Sequence, residues 1–385
     1  RPTMWQGVGA ATGETLPALP VITYYQPSGF HGKQQTRPAG MPLLRSVVQS
    51  FSMCNAAPLQ IIGNCSLVHR YGELTDYVCW DPSSSAAAVT REASFLQRHP
   101  GPPSGNTNGR RFELLCIMRW LHVEQLVRER GWKRFAFVDS DVVVYSDLAS
   151  VFYSHPRLPH FDVSLTAGRN GAISFWSHRG ISSFVGFTEQ LLSDCPLDVL
   201  GHDFSVDMGI LHRWTWLSGM SSDADVPPPP VPSCALKAFA KSTHRNASQQ
   251  HRNVSVNVSV HNLDHYLGLE RDGNACFFGD APVPPVFGTG IQKIPECKPA
   301  GRNRETTKML TSANISHTNP KYPRLLVRRA YRLLGLCSPI VLDQCSGALL
   351  PAHIVHFTGR YKQYISSARS RKGCTCVRAS GAAVP

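Results

Sequence analysis

Three short segments near the start constrain the fold more than anything else in the chain. Leu19–Tyr25 is rich in β-branched and aromatic residues and runs into the breaker sequence Gln26-Pro27-Ser28-Gly29, which reads as a strand. In Leu43–Met53 the apolar residues Leu43, Leu44, Val47, Val48 and Phe51 recur at helical spacing. Pro58–Ile62 is a second strand, closed by Gly63 and Asn64. Strand, helix, strand is the opening of a doubly wound α/β sheet.

The remaining pattern fills out such a sheet. Residues 82–109 carry Ser, Pro, Gly and Asn clusters and read as a long surface loop. Phe112–Arg130 reads as an amphipathic helix, with Leu115, Met118, Leu121, Leu126 and Val127 on or near one face and Gly131 where a C-cap belongs. A buried-type strand, Arg134–Val138, comes next, then Asp139-Ser140-Asp141 and a further apolar run, Val142–Tyr145. Asp162–Trp176 holds two short strands around Gly168 and Gly171, and Phe204–Leu211 reads as another strand. Residues 218–260, with the tetrad Pro227–Pro230, read as an exposed insertion, and His353–Ile365 is the last strong element. The expected layout is a leader or linker over 1–18, one domain over 19–365 and a basic tail over 366–385.

The chain of 385 residues is long enough for one large α/β domain or two modest ones. Its formal charge of +13 suits an anionic ligand: nucleic acid, an acidic membrane surface or a nucleotide diphosphate. Part of that excess is Arg369, Arg371, Lys372 and Arg378, expected to be a solvated tail. Nucleic acid is excluded as a partner by the lack of a zinc knuckle, a basic helix or a basic-aromatic stripe.

Twelve cysteines, with no C-x-x-C pair, point to disulfides; Cys116, within an apolar helical stretch, reads as a buried free thiol. Asn64, Asn246, Asn253, Asn257 and Asn314 begin Asn-x-Ser sequons, three of them in one polar stretch. Cysteines and sequons together point to the lumen of the endoplasmic reticulum or Golgi. The chain contains no apolar run of membrane-spanning length, so membrane association would come through an anchor outside it.

The chemistry concentrates in two places. Phe135-Ala-Phe-Val-Asp139-Ser-Asp141-Val-Val-Val-Tyr145 delivers two carboxylates at the end of an apolar strand. On a strand, residues two apart share a face, so Asp139 and Asp141 form a hard-oxygen donor pair for a divalent cation with positions open to phosphate. Asp-Ser-Asp is equally good turn chemistry. The second place is His356-Phe-Thr-Gly359-Arg-Tyr-Lys362: a nitrogen ligand, a glycine that lets backbone approach phosphate, and a mobile cation. His353 lacks glycine and lysine at those offsets and reads as structural.

An Asp-x-Asp after a strand, followed about 200 residues later by His-x-x-Gly-x-x-Lys, resembles the retaining glycosyltransferases of the GT-A fold, glycosyltransferase family 8 and its relatives. That resemblance implies a GT-A type, Rossmann-like mixed and mainly parallel sheet with helices on both faces. It implies Mn²⁺ (or Mg²⁺) held by Asp139, Asp141 and His356, a UDP-sugar whose diphosphate meets Gly359 and Lys362, and a glycan, glycoprotein or lipid acceptor. Ser140, Thr23, Tyr24 and Tyr25 would line the nucleotide site. Arg119, on the helix before the metal strand, would contact the nucleotide or else lie on the surface beside Trp120. Asp207, in Asp207-Met-Gly209-Ile, stands where the family has an Asn in its sugar pocket and is the candidate for positioning the sugar, and Asp264 falls where the family has an acidic Asp-Gln-Asp segment. In an inverting enzyme, Asp207 or Asp264 could serve as the base. The competing expectation is a non-catalytic lumenal binder of the same fold.

Overall fold

The computed structural model describes residues 17–25, 41–70, 74–98, 110–154, 158–166, 170–195, 206–218, 231–249, 260–262, 324–327, 340–343, 349–351, 354–356 and 376. The predicted opening is present. Strand β1 (Val21–Tyr24) leads to helix α1 (Met41–Cys54) and strand β2 (Leu59–Ile62), which pairs parallel to β1. A short helix, α2 (Cys65–His69), capped by Asn64, precedes strand β3 (Tyr77–Trp80), parallel to β2.

The expected loop at 82–109 contains a helix of 13 residues, α3 (Ala86–Arg98). Ala86-Ala-Ala is strongly helix-forming, and the Ser85 hydroxyl accepts from the Ala88 amide at the N-terminus (3.3 Å). Ala88 and Phe95, two turns apart, are both buried. Phe95 supplies the anchor that a polar sequence otherwise hides.

Helix α4 (Arg110–Arg130) ends at Gly131, whose φ of 64° is the left-handed cap the sequence called for. Strand β4 (Arg134–Val138) pairs parallel to β1 on the side away from β2. Strand β5 (Val142–Val144) leaves the main sheet, and helix α5 (Leu148–Ser154) follows. Strands β6 (Val163–Thr166) and β7 (Asn170–Ser177) form the expected pair, β7 antiparallel to both β4 and β6.

Three helices then build the second face. Helix α6 (His178–Asp194) is capped by Ser177 and packs along helix α8 (Ser233–Gln249), with helix α7 (Val206–Leu217) between them in sequence. The strand expected at Phe204–Leu211 is therefore helical over its described part. Asp207, Ile210, Leu211 and Trp214 are all buried and spaced by three, four and seven, a helical stripe that becomes visible only when Trp214 is included.

The insertion expected to be wholly exposed also contributes to the core. Ala235 and Ala238 of α8 are fully buried, and Cys195–Cys234 ties α8 to the end of α6. Strand β8 (Val260–Asn262) then pairs parallel to β6. The main sheet thus runs β3-β2-β1-β4-β7-β6-β8. Strands β9 (Arg324–Val327), β10 (Ile340–Asp343) and β11 (Leu349–Pro351) form a small antiparallel sheet, and β12 (Ile354–His356) pairs antiparallel with β5.

Alternation along β1 divides the core. Val21 and Tyr25 face α1 in one cluster with Leu44, Val47 and Phe51; Ile22 and Tyr24 belong to the other, with Trp120, Leu121 and Phe184. The fold is a mixed α/β sheet, mainly parallel, with helices on both faces. Disulfides Cys54–Cys376 and Cys65–Cys79 complete the described cross-links; Cys116 is a half-buried thiol that forms no disulfide among the described residues. The tail expected to be simply solvated is thus anchored at Cys376 to the end of α1. Among the described residues, no helix is long and apolar enough to cross a membrane.

Candidate functional site

Between β1 and β4 the chain reverses its direction of winding. From β1 it moves through α1 to β2; after β3 it returns through α3 and α4 to β4, on the other side of β1. Helices α1 and α4 pack on opposite faces. Such a switch point leaves a crevice outside the carboxyl ends of the two strands, because the neighbouring connections diverge there. Tyr24 and Tyr25 stand at the end of β1, and Asp139, Ser140 and Asp141 follow β4.

The two aspartates lie in the turn between β4 and β5, rather than alternating along a strand. The turn is fixed by the sheet: the Asp139 amide donates to the Ala172 carbonyl of β7 at 2.8 Å. Asp141 is buried, while Asp139 and Ser140 are half-buried.

Of the two sequence expectations for Arg119, the surface one does not hold: one guanidinium nitrogen donates to Asp139 Oδ1 at 2.8 Å and another to Asp207 Oδ2 at 2.6 Å. Its guanidinium carbon lies 4.9 Å from the Trp120 ring centre and 5.6 Å from that of Phe137, a cation set over two aromatics that touch each other. Burial pulls this guanidinium down, but the charges of Asp139 and Asp207 outweigh it and hold the group well above its ordinary value. Asp207, in the first turn of α7, also accepts from Trp120 Nε1 at 3.4 Å. Two carboxylates from distant parts of the chain are thereby joined through one cation.

One turn along α4, His122 organises a second group. Tyr24 Oη lies 3.2 Å from His122 Nδ1, His122 Nε2 lies 3.2 Å from Glu92 Oε2, and the Tyr24 and His122 rings stack at 5.9 Å. The His122 contact holds the Glu92 carboxyl below its usual range, against the opposing effect of burial. Burial above all, aided by the charge of Glu92 and opposed by Arg119, pushes the Tyr24 phenol up, so it stays protonated. Sequence reasoning missed Glu92 and His122. The spacing of Arg119 and His122, three apart on one helix, was the signal available.

The other expected residues divide sharply. Thr23 is fully buried within β1, its hydroxyl without a hydrogen-bond partner among the described residues. His356 ends β12, and its Cα is registered opposite Val142, the residue after Asp141. The two motifs, far apart in sequence, therefore meet along one strand pair. Asp264, Gly359 and Lys362 lie outside the described residues.

Among the described side chains, no group of three or more His, Cys, Asp and Glu is close enough to hold a metal. The oxygen chemistry of Asp139 and Asp141 fits a hard divalent cation such as Mg²⁺ or Mn²⁺, with Arg119 already engaged on one of the two.

No protein-family model matches the chain, and no curated protein matches it. Among solved structures it is similar to mouse xyloside xylosyltransferase 1 in its apo form. The likeness has 10% identity over 50% of this chain and 80% of that one, with a TM-score of 0.32. A likeness of that size carries no argument about family or activity.

Proposed function

We propose that the chain is a metal-dependent glycosyltransferase of the GT-A type. It would move a sugar from a nucleoside-diphosphate sugar, UDP-sugars first, to a glycan, glycoprotein or lipid acceptor with retention at the anomeric carbon. The observation that carries this reading is the pairing of β12 with β5, which sets the His356 backbone opposite Val142 and so beside the Asp139–Asp141 turn. A histidine strand and a two-carboxylate turn joined at a topological switch point make a suitable site for a diphosphate with its cation.

In this reading Asp139, Asp141 and His356 hold Mn²⁺ or Mg²⁺, which neutralises charge on the departing diphosphate. Arg119 fixes Asp139 from behind and joins it to Asp207, the candidate for binding the sugar. Tyr24, steadied by His122, borders the crevice on the β1 side. Lys362 and Gly359 would meet the diphosphate; Asp264 would serve as base only in an inverting transfer. Disulfides and sequons fit work in the lumen of the Golgi or endoplasmic reticulum.

The test is UDP release from a panel of UDP-sugars, with and without Mn²⁺, comparing wild type with Asp141→Ala. Metal-dependent release by wild type, lowered at least about a hundredfold in the variant, is the expected result. A non-catalytic binder is the second reading. It draws on the engagement of Asp139 and Asp207 by Arg119, which gives those carboxylates a structural partner without any ligand. UDP binding with no turnover of any donor would select it.

A further inference from the structure

The position of Arg119 bears on how a cation reaches the site. Its two terminal nitrogens are divided between Asp139 and Asp207, and its carbon is shelved against Trp120 and Phe137. The arginine side chain is 15% exposed and that of Asp207 only 4%. Trp120 is itself pinned, buried against Phe137, Trp176 and Phe184 and donating to Asp207. A guanidinium cannot give up its charge, and this one has little room to swing away.

We propose that Arg119 is a positioning residue that makes cation binding conditional on an anionic ligand. Resting on the reading above, the inference concerns the order and coupling of binding at that same site. With no ligand, the guanidinium already neutralises part of the charge of Asp139, and an arriving divalent cation faces a fixed positive group across its own ligand. In a partly buried site that repulsion is screened far less than in water. A nucleoside diphosphate brings enough negative charge to satisfy cation and guanidinium together. The cation and the diphosphate therefore strengthen each other's binding by one and the same factor.

Asp207 enters as the counterweight. By accepting from Arg119 it draws guanidinium charge away from Asp139. Removing the charge of Asp207 concentrates Arg119 on Asp139 and weakens cation binding; removing Arg119 takes the fixed positive charge from beside Asp139 and strengthens it. Two neighbouring substitutions thus have opposite signs, an outcome that general damage to the site does not produce.

The experiment is a titration of Mn²⁺ alone, read by the electron paramagnetic resonance of the free ion, on wild type, Arg119→Met and Asp207→Asn, each checked for a native near-ultraviolet circular dichroism spectrum. UDP affinity is measured in parallel by equilibrium dialysis, with saturating Mn²⁺ and with chelator. Expected are weak Mn²⁺ binding by wild type, binding about tenfold or more tighter in Arg119→Met, and weaker binding in Asp207→Asn. The gain in UDP affinity on adding Mn²⁺ should shrink in Arg119→Met. If Arg119→Met fails to fold, Asp207→Asn, nearly isosteric, still decides the sign. Equal Mn²⁺ affinity in wild type and Asp207→Asn, or tighter binding in Asp207→Asn, overturns the inference while leaving the transferase reading standing. If neither Mn²⁺ nor UDP binds wild type under any condition, the metal-dependent reading itself fails, and this inference with it.

Discussion

At the scale of single residues, the site depends on groups that never touch it. A Cβ added at Gly171 would lie 2.5 Å from the Trp120 ring, which is locked among other aromatics. Gly171→Ala must therefore displace the shelf beneath Arg119. We expect it to cost about 1–3 kcal/mol in urea unfolding and to weaken UDP binding. Gly63 is a backbone case: its added Cβ would meet the Tyr25 carbonyl oxygen at 2.2 Å. Gly63→Ala should destabilise by a similar ~1–3 kcal/mol and disturb the end of β1. At this scale the sequence exposed the carboxylates and the histidine, because their spacing is a motif. It hid the Arg119–Asp207 pair, because the contact joins residues brought together only by the packing of α7 on α4.

At the scale of elements, legibility followed the clarity of the apolar period. The first two strands, α1, α4 and β4 were readable because each carries a full stripe or an unbroken apolar run. Helix α3 was missed because only Ala88 and Phe95 of its residues are buried, the rest of its surface being half-buried or exposed. Helix α7 was read as a strand because its first six residues alternate as well as they spiral.

The connection from α2 to the turn after β3 yields a prediction at this scale. Asp81 accepts from the Cys65 and Ser83 amides and from the Ser83 hydroxyl. Partial burial raises its pKa, but those hydrogen bonds prevail and leave it below the ordinary value of 3.8. A lowered carboxylate pKa means stability that is fully present above the unfolded value and lost as the pH falls through the folded one. Amide protection factors in α2 and the following turn, corrected for the intrinsic pH dependence of exchange, should fall below about pH 4, and Asp81→Asn should remove that dependence.

At the scale of the whole molecule, the cross-links differ greatly in reach. Cys65–Cys79 closes a separation of 14 residues, whereas Cys54–Cys376 closes one of 322. Constraining the unfolded chain over the longer loop removes more entropy. Cys376→Ser should therefore cost about 2–4 kcal/mol in denaturant unfolding, more than Cys79→Ser.

Strand β5 has a related consequence for synthesis. Its Val142, Val143 and Val144 are buried, and their partner strand ends at residue 356. A nascent chain that has emerged past β5 carries a three-valine edge with nothing yet to cover it, an invitation to pair with another chain. Some two hundred further residues must leave the ribosome before Ile354 can close that edge. The same strand pairing that brings the two motifs together thus leaves them apart until that later segment has been made.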